Sequence, residues 1–139
     1  MQSKSYSNRG GFTLVEIMIV VAIIALLASI AVPSFLRARK RSQATATLET
    51  MRMIDSAKDQ YAIENGKGIG TTPLAADLVK YIKTGTKLYT DMDTGAGAVD
   101  SIGNPITING LDTAPQVDPA TKTALLDATG GDDFWGAYK

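Results

Sequence analysis

Sixteen consecutive residues, Ile17 to Val32, carry no charge and only one polar side chain, Ser29. With Phe12 to Val15 before them and Phe35 and Leu36 after, they make about 20 or more mainly apolar residues, the length that crosses a bilayer as one helix. This run constrains the chain more than any other feature, because whatever else folds must be compatible with a membrane-length apolar helix close to the N-terminus. Glu16 is the one charge at its edge.

A carboxylate beside such a run is costly wherever lipid or an apolar bundle surrounds it, so a neutralising partner is expected. If the chain is cut between Gly11 and Phe12, the new α-amino group lies one helical turn before Glu16, within reach of a salt bridge in the same or a neighbouring subunit. Two simpler readings fit less well. A secretory signal peptide places its small-residue cleavage site after the apolar core, whereas here Gly10-Gly11 precedes it. An ordinary single-span anchor accounts for the length but not for Glu16 or for a polar leader ending in two glycines.

Gly11, followed by Phe12-Thr13-Leu14-Val15-Glu16 and an apolar stretch ending at Pro33, resembles the signal of type IV prepilins and type II secretion pseudopilins. Glycine at the last leader position, glutamate at the fifth mature position and proline at the twenty-second all match. The resemblance implies a leader over residues 1–11, cleavage after Gly11 by a prepilin peptidase, N-methylation of Phe12, and polymerisation with Phe12 and Glu16 setting axial register. It implies a homopolymer as the main partner, an inner-membrane platform protein, an assembly ATPase on another chain, and lipid contact before assembly. The expected location is the bacterial inner membrane, single-pass with a periplasmic C-terminal domain, then an extracellular pilus or a periplasmic pseudopilus.

The charge balance excludes other classes. The chain has 14 basic and 14 acidic side chains, and removal of a leader carrying Lys4 and Arg9 leaves a slight excess of acid. That gives no bulk attraction to nucleic acid, and no nucleic-acid partner is expected. With no histidine and no cysteine, the commonest general base, the thiol nucleophile and most zinc sites are missing. No phosphate-binding glycine loop is present either, so the chain reads as a structural protein rather than an enzyme. About a hundred residues remain outside leader and anchor, enough for one small domain with a thin core. Type IV pilins of Gram-negative bacteria often carry a C-terminal disulfide loop, and its absence leans toward pseudopilin-like or short-pilin relatives.

Arg37, Arg39, Lys40 and Arg41 put four positive charges immediately after the apolar run. The positive-inside rule would hold this cluster in the cytoplasm, whereas the prepilin signal needs a cytoplasmic leader and an external domain. The signal is followed, because the leader has to meet its peptidase. The cluster then sits near lipid headgroups before assembly and beside neighbouring subunits afterwards. No aromatic residues interleave it to stack bases.

From Ser42 to Asn65 there is neither proline nor glycine. Leu48, Met51, Ile54, Ala57 or Lys58, and Tyr61 recur at three- to four-residue spacing, predicting an amphipathic continuation of the helix that ends at Asn65-Gly66. The helix is expected to kink or melt at Pro33. The predicted organisation is therefore leader 1–11, membrane and polymerisation half 12–36, amphipathic half 37–65 and globular domain 66–139. The fold class is α+β, a pilin-like helical spine with a small C-terminal domain of short helices and few strands.

Within that domain Pro73 to Lys83 predicts a short helix opened by a proline, Thr84 to Gly103 a loop, and Ala120 to Ala128 another helix. Asp91, Asp93 and Asp100 bring carboxylates into one loop, and oxygen ligands of this kind suit structural calcium, although their spacing completes no EF-hand. Otherwise no cofactor is expected. Asp100 to Ile108 is similar in part to the D-P-W-G-N-P-Y stretch of major pseudopilins, with Ile102 in place of tryptophan and Ile106 in place of tyrosine. Phe134, Trp135 and Tyr138 are expected to dock on the long helix.

Overall fold

The computed structural model describes residues 10–139. Of the leader, Gly10 and Gly11 fall inside this range, while Lys4 and Arg9 lie outside the described residues. By its own contacts the chain divides into two units, the boundary falling after Leu36.

The first helix, α1, spans Leu14–Asn65. Its start is fixed locally. Thr13 Oγ1 accepts the Glu16 amide at 3.2 Å, and the Glu16 carboxylate accepts the Thr13 amide at 2.9 Å. This reciprocal capping box satisfies two of the amides that a helix start leaves without partners. α1 runs through Pro33 as one continuous helix, so the proline does not melt it. What Pro33 imposes is a missing amide, which leaves the Ser29 carbonyl without its usual partner. The Ser29 hydroxyl meanwhile donates to the Leu26 carbonyl at 2.7 Å. In the first unit every large apolar side chain from Phe12 to Leu36 is between 48% and 83% exposed.

The second unit begins at Arg37 and is a packed domain. α1 buries Ala44, Thr47, Met51, Ile54, Ala57 and Lys58 there, a stripe at spacings of three and four. Leu48 and Tyr61 pack partly against the same core. A left-handed Gly66, with φ of 57°, ends the helix, and Lys67 donates back to the Ala62 carbonyl at 3.1 Å. A turn with positive φ after the last helical residue is where glycine is preferred.

Four shorter pieces cover the stripe. α2 is Ala75–Leu78, opened by the Leu74 amide donating to the Asp77 carboxylate at 3.1 Å, and it tightens into a 3-10 turn over Val79–Tyr81. α3, Lys87–Asp93, lies where a loop was expected. Its start is capped by Thr86, whose hydroxyl accepts the Tyr89 amide at 3.2 Å, and its Leu88 and Met92 are buried. α4, Pro119–Thr129, has Asp118 as its N-cap, proline in its first turn and left-handed Gly130 after its end. The chain closes with 3-10 turns over Asp132–Tyr138 that bury Trp135.

The pilin-like helix followed by short helices is found, but among the described residues no strand forms, so the α+β part of the expected fold class is not confirmed. Among the described residues, pairing is limited to two isolated antiparallel bridges, Val99 with Pro105 and Thr107 with Gln116. Gly103, Pro105, Gly110 and Pro115 interrupt this region. Proline offers no ladder donor, and glycine weakens a strand interior, so neither bridge extends.

Candidate functional site

Two surfaces hold the residues that the sequence singles out: the uncovered face of α1 up to Leu36, and the basic and acidic positions of the domain. At the N-terminal end, Gly10, Gly11 and Phe12 are exposed, Phe12 at 83%. A Cβ placed on Gly10 or Gly11 meets nothing within 4 Å. Among the described residues no packing contact therefore requires glycine at either position. Glu16 follows within the capping box, its carboxylate also accepting the Thr13 hydroxyl at 2.9 Å. Thr13 is the partner that the sequence reading missed, although Thr-x-x-Glu directly before an apolar run is the signature of a capping box.

The basic cluster is split by the fold. Lys40 donates to Asp127 of α4 at 2.9 Å. This hydrogen bond and charge, with Arg37 nearby, hold the Asp127 carboxyl below the usual carboxylate range. Both partners are well exposed, so the pair adds little stability and mainly orients α4 on the helix. Arg37, Arg39 and Arg41 are exposed, and among the described residues no ion pair engages them.

The three aspartates considered for calcium are held apart by different tasks. Asp91 pairs with Lys87 one turn earlier on α3, and Asp93 is exposed at the end of that helix. Asp100 is 1% exposed, and protein donors occupy its carboxylate. It accepts the amides of Ile102 and Asn104, each at 2.9 Å, and the Thr121 hydroxyl. Among the described residues no cluster of three acidic groups is placed to hold a metal ion.

The Asp100 turn is the best-connected polar feature of the domain. Ser101 donates to the Gln43 carbonyl at 2.7 Å, and its hydroxyl lies 2.8 Å from that of Thr47. Asn104 donates to Thr121 at 2.8 Å. One turn thus ties α1 to α4, through a buried carboxylate that accepts three hydrogen bonds. Lys58 anchors a second loop. It is 1% exposed and donates to the Thr113 carbonyl at 2.5 Å, with Asp55 at 3.8 Å. Burial pushes its pKa down, against the opposing pull of Asp55, Asp59 and Asp112.

At the C-terminus Trp135 is 1% exposed, with Phe134 edge-on at 5.1 Å. The Tyr138 carbonyl accepts the Val117 amide at 3.0 Å. Burial and the charges of Asp55, Arg52 and Glu49 on α1 act on its phenol, with a net upward shift in pKa. The aromatic tail is packed, not presented.

The first half of α1 is capped, and it is long and apolar enough to cross a membrane with none of it buried among the described residues; the second half is amphipathic and packs into a small domain. Comparison with known proteins makes the class specific. Residues 6–32 match the family model described as the prokaryotic N-terminal methylation motif. The chain is 31% identical over 101 residues to prepilin peptidase-dependent protein D of Escherichia coli, an alignment covering 73% of this chain and 67% of that protein. It is 41% identical over 58 residues to a type IV wide pilus major component of Thermus thermophilus, across 42% of this chain and 44% of the relative. It is 33% identical over 67 residues to type II secretion system core protein G of Pectobacterium carotovorum, across 45% and 43%. These last two alignments span less than half of the relatives' length. No solved structure matches the chain. The chain belongs to the type IV pilin and pseudopilin family.

Proposed function

We propose that this chain is the structural subunit of a type IV pilus-like filament. It is held in the inner membrane by residues 12–36, cleaved after Gly11, N-methylated at Phe12 and polymerised through α1. The observation that carries the reading is the apolar surface from Phe12 to Leu36, none of which is buried among the described residues. A large apolar side chain gains about 1.5–3 kcal/mol on full burial. Many such side chains in one run make lipid first, and the helices of other copies afterwards, the natural cover.

The start of the chain supports the same reading. Among the described residues glycine at position 11 has no packing duty, which leaves recognition by a peptidase as a reason for it. Cleavage there converts the Phe12 amide nitrogen into an ammonium beside Thr13 and one turn before Glu16. A carboxylate taken into an apolar bundle needs such a partner, and the need selects the stagger between copies that supplies it. A platform protein and an assembly ATPase would extract the subunit from the membrane, with its domain on the periplasmic side.

The second reading is a type II secretion pseudopilin, whose short periplasmic polymer drives protein export. The similarity to core protein G and the Asp100 to Pro105 turn favour it. Intact mass spectrometry of filaments sheared from cells, set against washed membranes, separates the two. The proposed pilus requires abundant sheared protein beginning at methylated Phe12. Mature protein confined to membranes would favour the pseudopilin, and an intact leader in both fractions would remove the prepilin reading.

A further inference from the structure

Open helical polymers of one chain are built from heterologous contacts, in which two different patches on each copy complement one another. On a parallel array of α1 helices those patches lie on opposite flanks of the helix. We propose that Arg39 on one flank and the Asp55/Asp59 pair on the other form such a contact between copies staggered by about 24 to 30 Å, a different pair of copies from the one whose stagger of about 6 Å brings Phe12 to Glu16. The proposal rests on the filament reading above.

The flanks follow from the helix and from what it buries. The domain covers the α1 face that carries Ala44, Thr47, Met51, Ile54, Ala57 and Lys58. Lys40 points the same way, toward Asp127. Arg39 lies along the Ala57 edge of that face, five turns before Ala57, where the side chain is exposed. At 3.6 residues per turn, Arg39 lies about 100° to one side of Lys40. Asp55 and Asp59, one turn apart, fall together on the other side of the covered face, roughly 160° to 200° around the axis from Arg39. Arg37 and Arg41 share the aspartates' flank. Arg39 and Asp59 are exposed, and the Asp55 side chain is 42% exposed.

Among the described residues Arg39 is unpaired, and Asp55 and Asp59 face no basic group closer than buried Lys58, on which both act and whose short hydrogen bond goes to Thr113. Between the patches, Glu49 and Arg52 neutralise one another at 2.5 Å. The wider distribution has the same sense. After the four bases ending at Arg41, the remainder of the chain holds 13 acids against 8 bases. A copy moved along its axis by about 16 to 20 residues, at about 1.5 Å per residue, therefore carries its basic end to the acidic flank of its neighbour.

Charge reversal and cross-linking test this in whole cells making the full chain. Arg39→Asp is expected to lower filament yield about tenfold or more, as is the single change Asp59→Arg, and the two together restore it. Lys80→Asp, at an exposed base of the 3-10 turn over Val79–Tyr81, leaves the yield near wild type. The chain has no cysteine, so Arg39→Cys/Asp59→Cys reports cleanly. Those positions lie about 30 Å apart on one helix, far beyond disulfide reach, so any bond joins two copies. Oxidised filaments should give a ladder of dimers, trimers and larger species, and Arg41→Cys/Asp59→Cys should not. Unchanged yield from Arg39→Asp without a ladder, or a ladder from the Arg41 pair alone, would remove this interface and leave the filament reading intact. Absence of filaments from the wild-type chain would remove both.

Discussion

The two halves of α1 share one backbone pattern and have opposite relations to the rest of the molecule. Up to Leu36 the helix is apolar on all sides and, among the described residues, none of it is buried. From Arg37 it is amphipathic, and its apolar stripe is sealed to 0–1% exposure by helices and turns that follow in sequence. A helix apolar all round has no solvent face to turn outward, so it is stable only inside lipid or among other helices. An amphipathic helix of similar length finds its cover in about a hundred residues of its own chain. The difference teaches that one element is assigned to two partners, and that the change of partner falls where apolar sequence gives way to Arg37, Arg39, Lys40 and Arg41.

The largest expected effect separates the halves completely. Glu16→Ala should abolish filaments while leaving a cleaved, membrane-bound subunit whose domain melts at the wild-type temperature, as read by pull-down of sheared filaments and circular dichroism. Normal filament yield from that variant would break the argument that Glu16 sets register. Trp135→Ala acts on the other half. Removing the largest buried side chain of the domain should cost about 3–5 kcal/mol, a large part of what a domain of this size has to lose. Urea denaturation of the detergent-solubilised subunit checks it, and a loss below about 1 kcal/mol would mean that the tail is not part of the core.

The smallest effect carries the most chemical information. Lys58→Met should be neutral to stabilising by about 1 kcal/mol at neutral pH, because it removes a desolvated charge, and the exposed Thr113 backbone can turn to water. The sign of the pH dependence follows from the lowered pKa of Lys58. Between the folded value and the ordinary value of 10.5 the unfolded chain holds a proton that the folded chain does not, so wild-type stability rises with pH across that window. The Lys58→Met variant has no such group to titrate and lacks this rise. Its advantage should therefore shrink as pH approaches 10.5, and an advantage that grows instead would contradict the cause assigned to the shift.

Much of this organisation is legible from side-chain pattern alone. The membrane-length run, the stripe through Met51 and Ile54, the stop at Gly66 and the burial of Trp135 all follow from polarity, periodicity and glycine placement. The misses share one physical origin, which is the short polar side chain that bonds to backbone. Thr86 caps α3 in a stretch read as loop, Thr13 closes the capping box with Glu16, and Thr47 with Ser101 clips the Asp100 turn to α1. Such residues look like solvated turn positions until their partners are known. Asp100 shows the same ambiguity from the other side, since a carboxylate in a glycine-rich loop reads equally as a metal ligand or as an acceptor for amides two and four residues on. The strands failed for a different reason. Alternating Ile106 and Ile108 beside Thr107 suggest one, but the glycines and prolines on either side leave each bridge nowhere to extend.

The account stands on the claim that the domain completes itself without the apolar half. The measurement that tests it most directly is sedimentation and thermal unfolding of residues 37–139 produced alone in water. A monomer with one cooperative transition and helical content matching that stretch is the predicted result. An unfolded or aggregating polypeptide would contradict it, and would mean that residues 12–36 are needed to hold the fold together.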